Sequence, residues 1–112
     1  MKIFHISKFC FDNNILKPTV PDNEFTRRGI ENNSIPRICF APSIEKCLKA
    51  LNIDIHVPNQ CFYIHEPINY DSLLIITNKE IIDNDYVPNV IHTGELWVLN
   101  PCKVKCEGII SF

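Results

Sequence analysis

The sequence predicts an α+β domain built on mostly antiparallel sheet, with about six strands and one main helix. Three observations lead there. Short apolar runs rich in β-branched residues recur along the chain, separated by segments rich in Pro, Asn and Asp. Only one stretch has helical periodicity: Ile44, Cys47, Leu48 and Leu51 fall at i, i+3, i+4 and i+7. The 112 residues are 46% hydrophobic and 21% charged, the usage of an ordinary globular chain, and are read as one domain, residues 1–112.

The elements follow in order. Residues 3–7 are short and apolar and read as a first strand. Residues 12–36 are interrupted by Pro, Gly, Asn and Asp and read as a long irregular segment with room for one helical turn. Residues 37–41 form a second strand, broken by Pro42-Ser43. Ser43 is then the N-cap of the helix over 44–51, with Glu45 in its positively polarised first turn. Residues 60–65 and 73–77 are the third and fourth strands. Residues 79–89, punctuated by Asn84, Asp85 and Pro88, read as a loop with room for a short turn of helix. Residues 93–100 and 103–111 are the fifth and sixth strands, with a bend at Pro101.

Composition excludes several classes. The net charge of −2 provides no broad basic field for non-specific nucleic-acid binding, although Arg27, Arg28 and Arg37 leave a local patch open. No apolar stretch approaches the ~20 residues of a spanning helix, and the start lacks the apolar region of a secretory signal. A cytoplasmic chain with no membrane partner is expected. The cysteines Cys10, Cys39, Cys47, Cys61, Cys102 and Cys106 would suit a disulfide framework by their even number. Several lie inside apolar runs, where a free thiol acts as a small buried hydrophobe, so free thiols in a reducing compartment are expected. The excess of Ile (18) and Asn (12) over Gly (3) and Ala (2) is the mark of an AT-rich genome, bacterial or phage, and carries no chemistry.

Motif by motif, most chemistries fall away. No C-x-x-C pair exists. Cys61 and His65, like Cys102 and Cys106, are four apart on strands, ~13 Å at ~3.3 Å per residue, too far to share an ion. No metal is therefore expected. The glycines Gly29, Gly94 and Gly108 are isolated, so no glycine-rich phosphate loop can be built, and no G-x-S-x-G elbow is present. A cysteine–histidine nucleophile pair has no local signature. Taken singly, His5 reads as a satisfied polar residue on a half-buried strand, and Glu95 as a strand-end carboxylate. Trp97 shares a face with Glu95 and reads as packing.

Taken in order, the pieces change this reading. His5-Ile6-Ser7 lies on the first strand. Ile38-Cys39-Phe40-Ala41 runs into the helix. Glu95-Leu96-Trp97-Val98 opens the fifth strand. In order, spacing and strand context the chain resembles the ADP-ribosyltransferase superfamily, in its diphtheria-toxin and poly(ADP-ribose)-polymerase branch with a His–aromatic–Glu pattern. The resemblance covers most of the chain and implies a minimal, split β-sandwich member of that fold. It implies NAD as substrate and a macromolecular acceptor, protein before nucleic acid. A toxin or a phage anti-defence effector fits the small size.

The resemblance also assigns roles. Glu95 would be catalytic, stabilising the cationic ribose formed when nicotinamide leaves, the charge problem that glycosidases also face. The binding residues would be His5, which holds a ribose by its hydroxyls, Ile6, whose backbone pins the nicotinamide amide, and Ser7, with Cys39, Phe40, Ser43 and Tyr63. Cys39 stands where the family has a tyrosine, and Ala50 where a second aromatic would stack, so Tyr63 or Phe40 is left to face the nicotinamide. Two residues before Glu95 stands Thr93, where arginine-directed relatives carry Glu or Gln. These departures leave an alternative open: a non-catalytic nucleotide- or protein-binding module, an inhibitor, on the same fold.

Overall fold

The computed structural model describes residues 2–87 and 90–112. Along them run β1 (His5–Ser7), β2 (Ile15–Leu16), α1 (Glu24–Arg27), β3 (Ile38–Phe40), α2 (Ile44–Ala50), β4 (Cys61–Pro67), β5 (Ile75–Ile76), α3 (Asn78–Asp83), a 3-10 turn (Val90–His92), β6 (Leu96–Val98) and β7 (Cys102–Ser111). They form two antiparallel sheets, one in the order β1-β4-β7-β2 and the other β3-β6-β5. The fold is α+β, as the sequence predicts. Among the described residues no helix is long and apolar enough to cross a membrane. All six cysteines are free thiols.

The α2 helix begins where the sequence places it. The Ser43 hydroxyl accepts the Lys46 N–H at 3.1 Å, and Leu51 caps the other end. Two further short helices stand in the segments where the sequence left room for a helical turn. In α1, Asn23 and Thr26 form a capping box, and in α3, Thr77 and Glu80 form another. Both helices are too short for a periodic apolar stripe to show in the sequence. Residues 12–36 also hold β2, and α3 takes up the first part of the segment 79–89, residues 79–83; residues 88–89 lie outside the described part. The fourth and fifth strands shrink to β5 and β6.

Each sheet face has its own core. Between the sheets, Ile3, Leu16, Cys102 and Val104 meet Ile38, Phe40, Leu96 and Val98. On the far side of the larger sheet, Ile6, Phe62 and Ile64 pack against Ala41 and Cys47. On the far side of the smaller sheet, Trp97 packs with Ile81, Val87 and Val90. The long strand β7 contributes to the first two. Its pairing with β4 slips between Ile64 and His65: Ile64 faces Gly108, whereas His65 faces Cys106. One extra residue on β7 reverses which side chains point inward. Val104 therefore reaches the inter-sheet core, while Ile110 joins the α2 side.

Ile3 is fully buried in the inter-sheet core, whereas Ile109 is 58% exposed. Ile3→Ala should lower the unfolding free energy by about 2–5 kcal/mol in urea titration. Ile109→Ala should stay within about 0.5 kcal/mol of wild type.

Candidate functional site

Two isolated backbone bridges lie between segments of the two sheets, Thr19 with Arg37 and Phe4 with Ala41, and the second adjoins the site. Phe4 and Ala41 exchange N–H···O bonds of 2.8 and 2.9 Å. Continued as a ladder, this pairing would next join Ile6 to Cys39. It does not continue: no backbone hydrogen bond joins Ile6 to β3 among the described residues. Instead the His5 imidazole takes the Cys39 carbonyl, with Nδ1 2.9 Å from the oxygen. A carbonyl only accepts, so Nδ1 carries the proton. Burial holds the His5 pKa below its ordinary value, with His65 adding to the shift. The ring is thus neutral, and Nε2 keeps a free lone pair.

Beyond the bridge, β1 and β3 splay apart around a cavity of about 50 Å³. His5, Ile6, Cys39, Phe40, Ala50 and Glu95 are among its lining residues. By ladder alternation Phe4 and Ile6 turn their backbone groups to the same side, away from β4. The Ile6 N–H and C=O therefore face the gap.

Glu95 arrives from the other end of the chain. Gly94 precedes it at φ +64°, a conformation that favours glycine. A Cβ there would lie 3.0 Å from the Lys46 side chain and 3.2 Å from Pro42, so glycine also permits close approach to the β3–α2 corner. Asn78, the first residue of α3, donates to the Glu95 carbonyl at 2.9 Å. The carboxylate itself accepts the Trp97 indole N–H at 2.8 Å. Trp97 is fully buried, with the Tyr86 ring stacked on it (centroids 5.6 Å apart) and the Arg37 guanidinium 4.1 Å from its ring centroid. Arg37 donates to the carbonyls of Asn32 and Ile35, at 2.7 and 3.2 Å, which aims its charge at this corner. Burial and the nearby Glu95 charge raise the Glu31 carboxyl above its ordinary range. Trp97, expected only to pack, therefore also orients Glu95.

The structure brings His5, Ile6, Cys39, Phe40 and Glu95 to one cavity. Cys39 and Phe40 both reach it although their side chains lie on opposite faces of β3. Cys39 pairs with Trp97, and Phe40 with Leu96 in the inter-sheet core. The Cys39 thiol is pushed up from its ordinary pKa, first by burial and then by the Glu95 carboxylate. Cys47, which also lines the cavity, is pushed up by burial to about 12. Neither thiol is a ready nucleophile. Ser7, Ser43 and Tyr63 are not brought to the cavity. The Ser7 hydroxyl accepts the Phe9 N–H at 3.0 Å, and that of Ser43 is committed to its helix. Tyr63 lies on β4 opposite Ser7. Thr93 ties its own turn, donating to the Val90 carbonyl at 3.0 Å.

Sequence spacing gave no hint of a second cluster, Cys10, His65 and Cys106, which three separate segments bring together. The strand argument compares cysteines and histidines within one strand and is blind to partners across strands.

His5, half-buried, and His65, fully buried, make stability depend on pH. His5 and His65 both have pKa values lowered, chiefly by burial, from an ordinary 6.5. The unfolded chain therefore takes up protons first as the pH falls, and stability is lost below about 6.5. The urea midpoint should be level from pH 8 to 7 and fall between pH 6.5 and 5. The fall should be shallower in His5→Asn, whose amide can still donate to the Cys39 carbonyl. In comparisons with protein-family models, curated proteins and solved structures, nothing matches this chain.

Proposed function

We propose that this chain is an NAD-dependent ADP-ribosyltransferase that moves ADP-ribose to a macromolecular acceptor. The observation that carries the reading is that His5 and Glu95, from opposite ends of the chain, line one cavity. The free Ile6 backbone pair supports it, since a donor beside an acceptor is the complement of a primary carboxamide such as that of nicotinamide. Neutral His5 would accept a ribose hydroxyl through Nε2. Glu95 would accept the hydroxyl of the nicotinamide-bearing ribose and stabilise the positive charge that develops there. The bond from ribose C1′ to nicotinamide breaks, its electron pair leaving with neutral nicotinamide. The acceptor nucleophile forms the new bond to C1′ and loses its proton to solvent. The Phe40 ring, its centroid 5.8 Å from that of His5, is the aromatic ring among the cavity's lining residues other than His5.

One observation favours a second reading, a binding module without turnover. The cavity of about 50 Å³ compares with roughly 300–1,000 Å³ for a pocket that encloses a small ligand. NAD would have to widen it. The wall formed by Ala50 and Leu51 ends a seven-residue helix, and Leu51 is 55% exposed, so this wall has little packing to hold it.

Nicotinamide release from NAD, measured with cell lysate as the source of acceptor, separates the readings. Glu95→Gln keeps an acceptor for the Trp97 N–H, so the fold should survive while turnover falls about 10²–10³-fold with little change in NAD affinity. His5→Ala should weaken NAD binding in calorimetry. Equal background release from wild type and Glu95→Gln would favour the binding module.

A further inference from the structure

Away from the cavity, one side-chain cluster has the composition of a cation site. The ligating atoms of Cys10, His65 and Cys106 all lie within 4.8 Å of one another. Cys10 is exposed on the segment between β1 and β2, His65 is fully buried on β4, and Cys106 sits beside the bulge of β7. We propose that these three residues bind a thiophilic divalent cation, zinc being the ion whose chemistry they match, with the fourth position left to the Asp12 carboxylate or a water. The inference is independent of the transferase reading.

Three features support it. The first is fit. Around tetrahedral zinc, with bonds of ~2.3 Å to sulfur and ~2.0 Å to nitrogen, ligand atoms stand about 3.5–3.8 Å apart, so the trio needs to close by roughly 1 Å. The second is preorganisation. Asn13 N–H bonds the Val104 carbonyl at 2.9 Å, and Val104 N–H bonds the Asn14 carbonyl at 3.0 Å. Asp12 Oδ1 accepts the Cys106 N–H at 2.8 Å. The segment carrying Cys10 is thus laid against β7 by its own backbone, and a carboxylate stands at the cluster. The third is the orientation of the imidazole. His65 Nδ1 lies 3.3 Å from the His5 carbonyl, the backing that metal-bound histidines commonly have. Its Nε2 points at the Cys10–Asp12 segment, where it accepts the Phe11 N–H at 2.9 Å. The cation would take over that lone pair.

Burial lowers the His65 pKa and keeps the ring in its ligating form. Cys106 is pushed up by burial, and Cys10 and the Asp12 carboxylate crowd it further. A divalent cation relieves that crowding: two thiols release their protons to solvent, and two thiolate charges balance the ion. Soft sulfur ligands favour zinc over magnesium or calcium. Because His65 backs the His5 carbonyl, a cation here would also stiffen β1 behind the cavity.

Cobalt(II) is the probe, added to the reduced full-length chain. A thiolate-to-cobalt charge-transfer band should saturate at one equivalent and vanish on addition of zinc. Cys10→Ser, at an exposed position that leaves the core intact, should weaken cobalt binding at least about tenfold. Cys106→Ser should do the same, and Cys61→Ser, on an exposed thiol at the far end of β4, should change nothing. Zinc should raise the melting temperature of wild type and not of Cys10→Ser. A missing band, a band unchanged by Cys10→Ser, or an equal zinc shift in both proteins would overturn the proposal.

Discussion

The hydrogen bond from the His5 imidazole to the Cys39 carbonyl is the contact on which the site depends. A ladder that continued past Phe4 and Ala41 would join the two sheets edge to edge and close the gap. The side chain takes the acceptor that the next backbone rung would use. The strands can then diverge without leaving that carbonyl unpaired, which in a buried position would be costly. The same bond fixes the imidazole tautomer and leaves Nε2 and the Ile6 backbone pair facing the opening. The His5 bond thus links β1 to β3 while keeping the two strands apart.

The opposite wall is built by different means. A left-handed glycine, an asparagine from α3 and a buried tryptophan set the position of Glu95. The tryptophan lies between an aromatic ring and a guanidinium, so its indole N–H has little freedom of direction. Holding a carboxylate through a neutral N–H donor leaves its charge unspent, unlike a direct ion pair. Arg37 is near enough to influence this corner, yet its charge lies over the ring. A fixed anion of this kind suits chemistry in which positive charge develops opposite it.

The economy of the fold rests on β7. The bulge shifts the alternation of this strand, so that Val104 and Ile110, an even number of residues apart, serve cores on opposite faces of the sheet. It also sets Cys106 beside His65, and through His65 ties the β7 edge to the strand that bears His5. The cavity and the Cys10–His65–Cys106 cluster therefore meet at the β1–β4 pairing.

The sequence by itself determined the class of fold, the α2 helix with its Ser43 cap, and the strands carrying His5 and Phe40, whereas Glu95 stands just before β6 and not on it. These are local properties: apolar periodicity, β-branched runs and a capping hydroxyl act within a few residues. It left room for a helical turn at α1 and at α3 without fixing their bounds, because their capping boxes are polar signals without an apolar stripe. It did not reveal that Ser7, Ser43 and Tyr63 stay away from the cavity, because their hydroxyls or strand positions are committed elsewhere. Only the tertiary structure decided that His5 and Glu95 face one cavity, that Trp97 holds the carboxylate, and that Cys10, His65 and Cys106 converge. Each of these depends on register across strands, and a shift of one residue at a bulge reverses the face on which a side chain lies.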